Sequence, residues 1–394
     1  MKALATLRAA GDEVLALARA VAGGDAPDAD ALGESVLLAP LRGAPHDPVH
    51  HAEGDPLTHT ALVVEALVAL PGFRALGPRS RLSLALAALL HDVAKPETAV
   101  VDGGRVSHPN HAPRGARRAR AALYAAGLEA SVREAAASLC ARHMQPHHAL
   151  ASRPDDVALL RWAAGASLEV PLELLLQLCE ADTLGRRTMT ADGPAAPTSA
   201  EGALLLREFA REHDLLERPF PFPDASTRLA CCRDRARDPR YTVNEPERGP
   251  LVTVLSGLPG SGKSTRAREL EAAGAARASV EDLMDAGLDR GTAVQRAKET
   301  LRQALRDGRD AVWDATMLTR QIRRSVVSLA EDYGARTRIL AIEVDAGERR
   351  ARTLARGGDL PDRALADMLH AWSVPTHDEA LLVEGRPARL RPDE

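Results

Sequence analysis

LVTVLSGLPGSGKST, residues 251–265, runs a short β-branched stretch straight into a glycine-rich turn and then into the start of a helix. Within it, Gly257-Leu-Pro-Gly-Ser-Gly262-Lys263-Ser264 satisfies GxxxxGK[ST] in full, in the strand-to-helix context that a phosphate cradle requires. The glycines let backbone N–H groups turn inward around phosphates, and the helix N-terminus adds partial positive charge where the anion sits. Gly257, Gly260, Ser261, Gly262, Lys263, Ser264 and Thr265 are therefore expected to bind a nucleoside triphosphate. Lys263 reaches the β- and γ-phosphates, Ser264 places its hydroxyl on Mg²⁺, and Thr265 adds a phosphate hydrogen bond.

Downstream of this loop, β-like runs at 310–315 and 336–344 alternate with helical patterns near 292–307 and 319–333, which predicts an α/β domain with a parallel sheet. Asp282 falls where a second strand ends in a loop beside the phosphate donor, and a carboxylate there could take the proton of an attacking hydroxyl. Asp314 closes the strand AVWDAT, where it could orient metal-bound water or the acceptor, with Thr316 and Arg320 following at the same edge. Arg352 and Arg356 share one helix face at i, i+4 spacing and could swing over the transferring phosphates as a lid.

Upstream the character changes. Apolar residues recur at i, i+3, i+4 through 79–91, 116–126, 130–142 and 172–182, which predicts a helical bundle over residues 1–187. Residues 188–249 read as a partly helical connector broken by TMTADGPAAPTSA and RPFPFPD, and 250–394 as the α/β domain. Ten of the 13 histidines lie between residues 46 and 148. One histidine is usually just a packed or solvated side chain, but His59, His91-Asp92, His111, His143 and Asp182 come from separate helical segments. Six such nitrogen and oxygen ligands suit one or two divalent transition metals, which would make hydroxide available for attack on a phosphoester. Only four of the 51 basic residues are lysines, so Lys95, one turn after the His-Asp pair, stands out as a point charge for a phosphate.

The ordered set His59, His91-Asp92, His111, His143 and Asp182 resembles the HD phosphohydrolase superfamily over about residues 45–190, with its metal motifs within 51–186. In that resemblance His51 of HAEGD faces the substrate rather than the metal, Arg142 and Arg186 are possible phosphate contacts, and His147 and His148 stay at the surface. The C-terminal part resembles the polynucleotide 5′-hydroxyl kinases: GLPGSGKST matches their P-loop, Asp282 their general base, Asp314-Ala-Thr their second acidic motif, and Arg352-Thr-Leu-Ala-Arg356 their lid. Asp285 stands where those kinases usually carry an arginine that grips the acceptor phosphate. An HD module followed by such a kinase resembles the bacterial HD-domain polynucleotide kinases. The resemblance implies a bifunctional enzyme on RNA or DNA ends. ATP or another nucleoside triphosphate with Mg²⁺ would phosphorylate 5′-hydroxyls. An HD site holding Mn²⁺, Ni²⁺, Co²⁺ or Fe²⁺ would remove 2′,3′-cyclic, 3′ or 2′ phosphates, and a downstream ligase would be a possible partner.

The bulk properties narrow the context. A formal net charge of −4 gives no global basic field, so nucleic-acid contact must be local. Cys140, Cys179, Cys231 and Cys232 lack metal-type CxxC spacing and the density of a secreted scaffold, which fits a reducing cytoplasm. The first residues show no signal peptide pattern and no apolar run is long enough to span a bilayer, so no membrane association is expected. Two other readings fit the same motifs: a metabolite kinase fused to a nucleotide phosphohydrolase, supported by Asp285 and the acidic charge, and an HD hydrolase switched by a nucleotide-sensing P-loop.

Overall fold

The computed structural model describes residues 2–151, 154–233, 238–242, 248–355, 357–358 and 360–394. They form two compact units, residues 1–220 with 387–394 and residues 221–386. The last eight residues, which sequence patterning assigns to the α/β domain, thus lie with the helical unit. There Gly77 N–H donates to the Pro392 carbonyl at 2.8 Å and Arg79 N–H to the Glu394 carbonyl at 2.7 Å.

The helical unit is built on α1 (Lys2–Gly23), α2 (Pro56–Ala69), α3 (Pro78–Leu90), α4 (His111–Ala125), α5 (Ala130–Arg142) and α6 (Leu172–Gly185). Leu84 through Leu90 of α3 are all buried, and a helix apolar on every side belongs in the interior. A short antiparallel hairpin, β1 (Val100–Asp102) and β2 (Arg105–Ser107), leads into α4. The breaker-rich stretch after α6 holds a second hairpin, Thr188–Thr190 with Gly193–Ala195. Helices α4 and α5 are locked by a buried charge cluster: Arg120 Nε donates to both Glu134 oxygens at 2.9 and 2.8 Å, and Arg133 Nε donates to Oε1 at 2.9 Å.

The second unit carries β3 (Leu251–Ser256), α7 (Lys263–Ala272), β4 (Ala276–Ser279), α8 (Arg290–Arg306), β5 (Ala311–Asp314), α9 (Arg320–Asp332), β6 (Arg336–Ala341), α10 (Ala346–Ala355) and β7 (Leu382–Glu384). The strands form one parallel sheet in the order β4-β5-β3-β6-β7. Side-chain alternation splits the core between its faces: Val252, Val254, Trp313 and Ile339 pack with Leu301 of α8 and Val326 of α9, while Leu255 and Val312 pack with Ala267 of α7. β3 is central, so the loop that follows it opens at the C-terminal edge of the sheet, where ligands bind in open α/β folds. Among the described residues no helix is long and apolar enough to cross a membrane.

Candidate metal centre and nucleotide site

The helical unit gathers its histidines by placing them at helix ends. His91 caps the C-terminus of α3, His143 caps that of α5, and His111 opens α4. Each ring points Nδ1 at the carbonyl three residues upstream: His91 to Ala88 at 2.8 Å, His111 to His108 at 2.7 Å, and His143 to Cys140 at 2.8 Å. That bond holds the proton on Nδ1 and leaves the Nε2 lone pair free, the tautomer a metal ligand requires. His59, inside α2, has its Nδ1 2.8 Å from Glu53 Oε1 and is turned the same way.

The four Nε2 atoms converge on Asp92. They lie 3.2 Å (His91), 3.4 Å (His111), 3.8 Å (His143) and 3.9 Å (His59) from its carboxylate oxygens. Asp182, reaching across from α6, places Oδ1 2.9 Å from His59 Nε2. Gly185 makes that reach possible, because a Cβ there would stand 2.7 Å from the Val63 backbone nitrogen and push α6 off α2. The cluster reads as two overlapping triads, His59-His91-Asp92 and Asp92-His111-His143, each with donor atoms within 4.8 Å of one another.

These donors fit divalent ions on structural grounds. His111 and His143 face each other Nε2 to Nε2 at 3.2 Å, yet both rings already carry their proton on Nδ1, so neither can donate. His91 Nε2 and Asp92 Oδ1 are buried without a hydrogen bond, and Asp92 Oδ2 has its ion pair with Lys95. Buried polar atoms left without partners are costly, and a cation shared by them removes the cost. Burial opposes ionisation of Asp92, but His91 and Lys95 outweigh it and hold the carboxyl well below its ordinary value. Burial and the neighbouring His91 push His143 down to about 3, which keeps it neutral and able to ligate.

Around the cluster lies a ring of supporting groups. Lys95 Nζ sits 2.7 Å from Asp92 Oδ2 and 2.8 Å from His46 Nε2. His46 stacks on His51 with ring centroids 3.7 Å apart, and burial together with Lys95 keeps it neutral. Glu53 accepts from His51 Nδ1 at 2.9 Å and pairs at 2.8 Å with His59 Nδ1 on one oxygen, and accepts from the Arg187 N–H at 2.8 Å on the other. Burial works against that carboxylate, but the two imidazoles hold it ionised. A cavity of about 660 Å³ opens over Asp92, lined among others by Lys95, Arg105, His108, His148 and Arg186. His147, expected at the surface, instead turns inward, with Nε2 3.3 Å from Asp182 Oδ2, and that bond raises it to about 10. Arg142 pairs with Glu169 at 3.7 Å rather than lining the cavity, whereas Arg186 lines it and donates to Asp182 at 3.2 Å.

In the α/β unit the P-loop wraps from β3 into α7. Gly257 has no room for a side chain: a Cβ would stand 2.1 Å from the Ile342 carbonyl oxygen. Gly260 and Gly262 take φ values of +84° and +106°, which free the loop's N–H groups to face one concavity. Lys263 Nζ donates to the Leu258 carbonyl at 3.0 Å, and the Ser261 hydroxyl is buried without a partner. Ser264 Oγ lies 3.4 Å from Asp314 Oδ1, the hydroxyl and carboxylate pair that suits Mg²⁺. Thr265 and Arg352 line a second cavity of about 660 Å³ beside the loop, and Arg352 NH1 donates to the Ser261 carbonyl at 3.1 Å. Arg356 lies outside the described residues. Asp282 is exposed in the first turn of a short helix, Val280–Asp285, whose N-cap is Ser279. Thr316 Oγ1 is 3.4 Å from Glu281 Oε1, and Arg320 pairs with Asp378 rather than turning toward the loop.

Residues 57–186 match the HD domain family. Residues 252–375 match an AAA domain family, the class to which the P-loop unit's fold corresponds. The chain is thus an HD domain joined to a P-loop nucleotide-binding domain. It is 31% identical over 205 residues to the multifunctional CCA protein of Halorhodospira halophila (strain DSM 244 / SL1), a stretch covering 51% of this chain and 46% of the relative. It is 32% identical over 149 residues to the multifunctional CCA protein of Alkalilimnicola ehrlichii (strain ATCC BAA-1101 / DSM 17681 / MLHE-1), covering 37% and 33%. The chain therefore spans less than half the length of each of these relatives.

Three residues with evident roles in this geometry escaped sequence reasoning: His46, Glu53 and, in its inward orientation, His147. Glu53 lies inside HAEGD, a segment that drew notice only for His51.

Proposed function

We propose that the chain heals broken nucleic-acid ends: the HD domain removes 2′,3′-cyclic, 3′ or 2′ phosphates, and the P-loop domain phosphorylates 5′-hydroxyls. The observation that carries the first half is the convergence of four Nε2 lone pairs and Asp182 around Asp92 beneath a cavity lined with Lys95, Arg105 and Arg186. His59, His91, Asp92, His111, His143 and Asp182 would hold one or two divalent ions, which polarise phosphoryl oxygens and lower the pKa of water toward neutrality. Lys95 and Arg186 then bind and orient the phosphate, while Glu53 and the upstream carbonyls fix the imidazole tautomers.

In the P-loop domain, Lys263 and the loop N–H groups would grip the donor phosphates, with Ser264 and Asp314 placing Mg²⁺ and Asp282 taking the hydroxyl proton. Similarity to proteins named for CCA work makes nucleic acid a reasonable substrate class. No feature of either site bears on a partner ligase. The metabolite-kinase reading is favoured by one observation, the exposed acidic row Glu281, Asp282 and Asp285 beside the P-loop edge. An oligonucleotide bearing a 5′-hydroxyl and a 2′,3′-cyclic phosphate separates the two readings. With ATP, Mg²⁺ and Mn²⁺, the proposal expects mass spectrometry to show phosphate gained at the 5′ end and lost at the 3′ end. An oligonucleotide unchanged at both ends, alongside turnover of mononucleotides, would favour the metabolite reading.

A further inference from the structure

The same acidic row poses a problem that the structure itself answers. A phosphodiester acceptor approaching Asp282 meets Glu281 and Asp285, both exposed, and must be met by a cation. Arg277, on strand β4, supplies one. Its NH2 donates to Asp314 Oδ2 at 2.7 Å and its Nε to the same oxygen at 3.0 Å. On the other side its NH1 lies 2.8 Å from Asp282 Oδ2 and its NH2 3.1 Å from Asp282 Oδ1. One guanidinium therefore bridges the carboxylate on the acceptor side to the carboxylate whose other oxygen faces Ser264.

The two halves of this bridge are unequal. Asp314 is fully buried and the Arg277 side chain is 9% exposed, whereas the Asp282 side chain is 54% exposed. Exposed ion pairs contribute little, and breaking a buried one strands a charge. Phosphate is a strong, fork-matched partner for arginine. The weak half is thus the one an incoming phosphate displaces, with Asp314 still holding the guanidinium in place.

We propose that Arg277 is the positioning residue of the kinase site: it holds Asp282 in an ion pair until a phosphate of the acceptor takes its place. This rests on the reading that the P-loop domain phosphorylates 5′-hydroxyl ends. Displacement does two things at once. It seats the acceptor, and it frees the Asp282 carboxylate for the hydroxyl proton. The acceptor oxygen then forms its bond to the γ-phosphorus as the bond to the β,γ-bridging oxygen breaks, and the nucleoside diphosphate leaves with that electron pair. Asp285 needs no arginine in its place, because the guanidinium arrives from β4 instead.

The test compares two acceptors that differ only in a phosphate, a nucleoside and its 3′-phosphate, at saturating ATP and Mg²⁺. Wild type is expected to favour the phosphorylated acceptor in kcat/KM by about tenfold or more, the scale of one charged contact. Arg277→Gln should collapse that ratio toward one, and Arg277→Lys, which keeps the charge but loses the fork, should fall between. A ratio in Arg277→Gln equal to that of wild type overturns the proposal, even if overall activity falls, since that is the behaviour of a structural strut. Should the glutamine variant fail to bind a fluorescent ATP analogue, Arg277→Lys decides by the same ratio, and failure of both to bind nucleotide also marks a strut. Wild type inactive on both acceptors and on a 5′-hydroxyl oligonucleotide refutes the kinase reading itself, a result distinct from a retained ratio.

Discussion

Glu53→Gln tests how the HD site holds its ligands. The carboxylate does two jobs: Oε1 faces the Nδ1 atoms of His59 and His51, and Oε2 accepts from Arg187 N–H. A glutamine amide has one acceptor oxygen. If that oxygen stays with Arg187, the NH2 group confronts His59 Nδ1, which must then accept, and the imidazole proton moves to Nε2, removing the lone pair aimed at Asp92. If the oxygen goes to the imidazoles, the NH2 faces the Arg187 N–H and two donors meet. Either arrangement weakens the site, and losing an outer partner of a ligating histidine typically costs about 10–100-fold in metal affinity. That corresponds to about 1.4–2.8 kcal/mol. Isothermal titration of apo protein with Mn²⁺ would measure it, with circular dichroism confirming that the helices persist. An affinity within about twofold of wild type would refute the idea that Glu53 sets the His59 tautomer.

Three further outcomes follow from the same geometry. Glu134→Ala strands Arg120 and Arg133 between α4 and α5, the helices that bring His111 and His143, and should lower stability by about 3–5 kcal/mol in urea unfolding; a loss below about 1 kcal/mol would show that the cluster holds nothing. Gly185→Ala drives a methyl into the Val63 backbone and should separate His59 from Asp182, so metal affinity should drop with only a partial loss of helical signal; unchanged affinity contradicts the close-approach argument. Burial pushes the Cys140 thiol up to about 12, so native protein at pH 8 should leave it unlabelled by iodoacetamide while unfolded protein labels fully. Rapid native labelling of Cys140, read by peptide mass spectrometry, would contradict its burial against α3.

The fold was legible because its signals are local. GLPGSGKST is contiguous, and the periodicities of 79–91, 130–142 and 172–182 match α3, α5 and α6 to within a few residues. The histidines stood out because imidazole is otherwise rare here: only three lie outside residues 46–148. Glu53 and Arg277 were illegible for the opposite reason. In a chain with 51 basic and 55 acidic residues, one more carboxylate or guanidinium carries no signal until folding sets it against its partners. Those partners are distant: Glu53 meets the backbone of Arg187, and Arg277 meets Asp314. His147 misled because a helix near a loop reads as surface, whereas Asp182 draws its ring inward. The hairpin β1–β2 and the edge strand β7 are three-residue strands, too short for any period to announce them.

The central claim is that two independent sites carry out opposite phosphate chemistry on the two ends of one strand. A single oligonucleotide with a 5′-hydroxyl and a 2′,3′-cyclic phosphate, treated in parallel with Lys263→Ala and Asp92→Ala, tests it most directly. The account predicts that Lys263→Ala leaves the 5′ end unphosphorylated while still processing the cyclic phosphate, and that Asp92→Ala does the reverse. Loss of both reactions from either substitution, in a protein that remains folded, would contradict it.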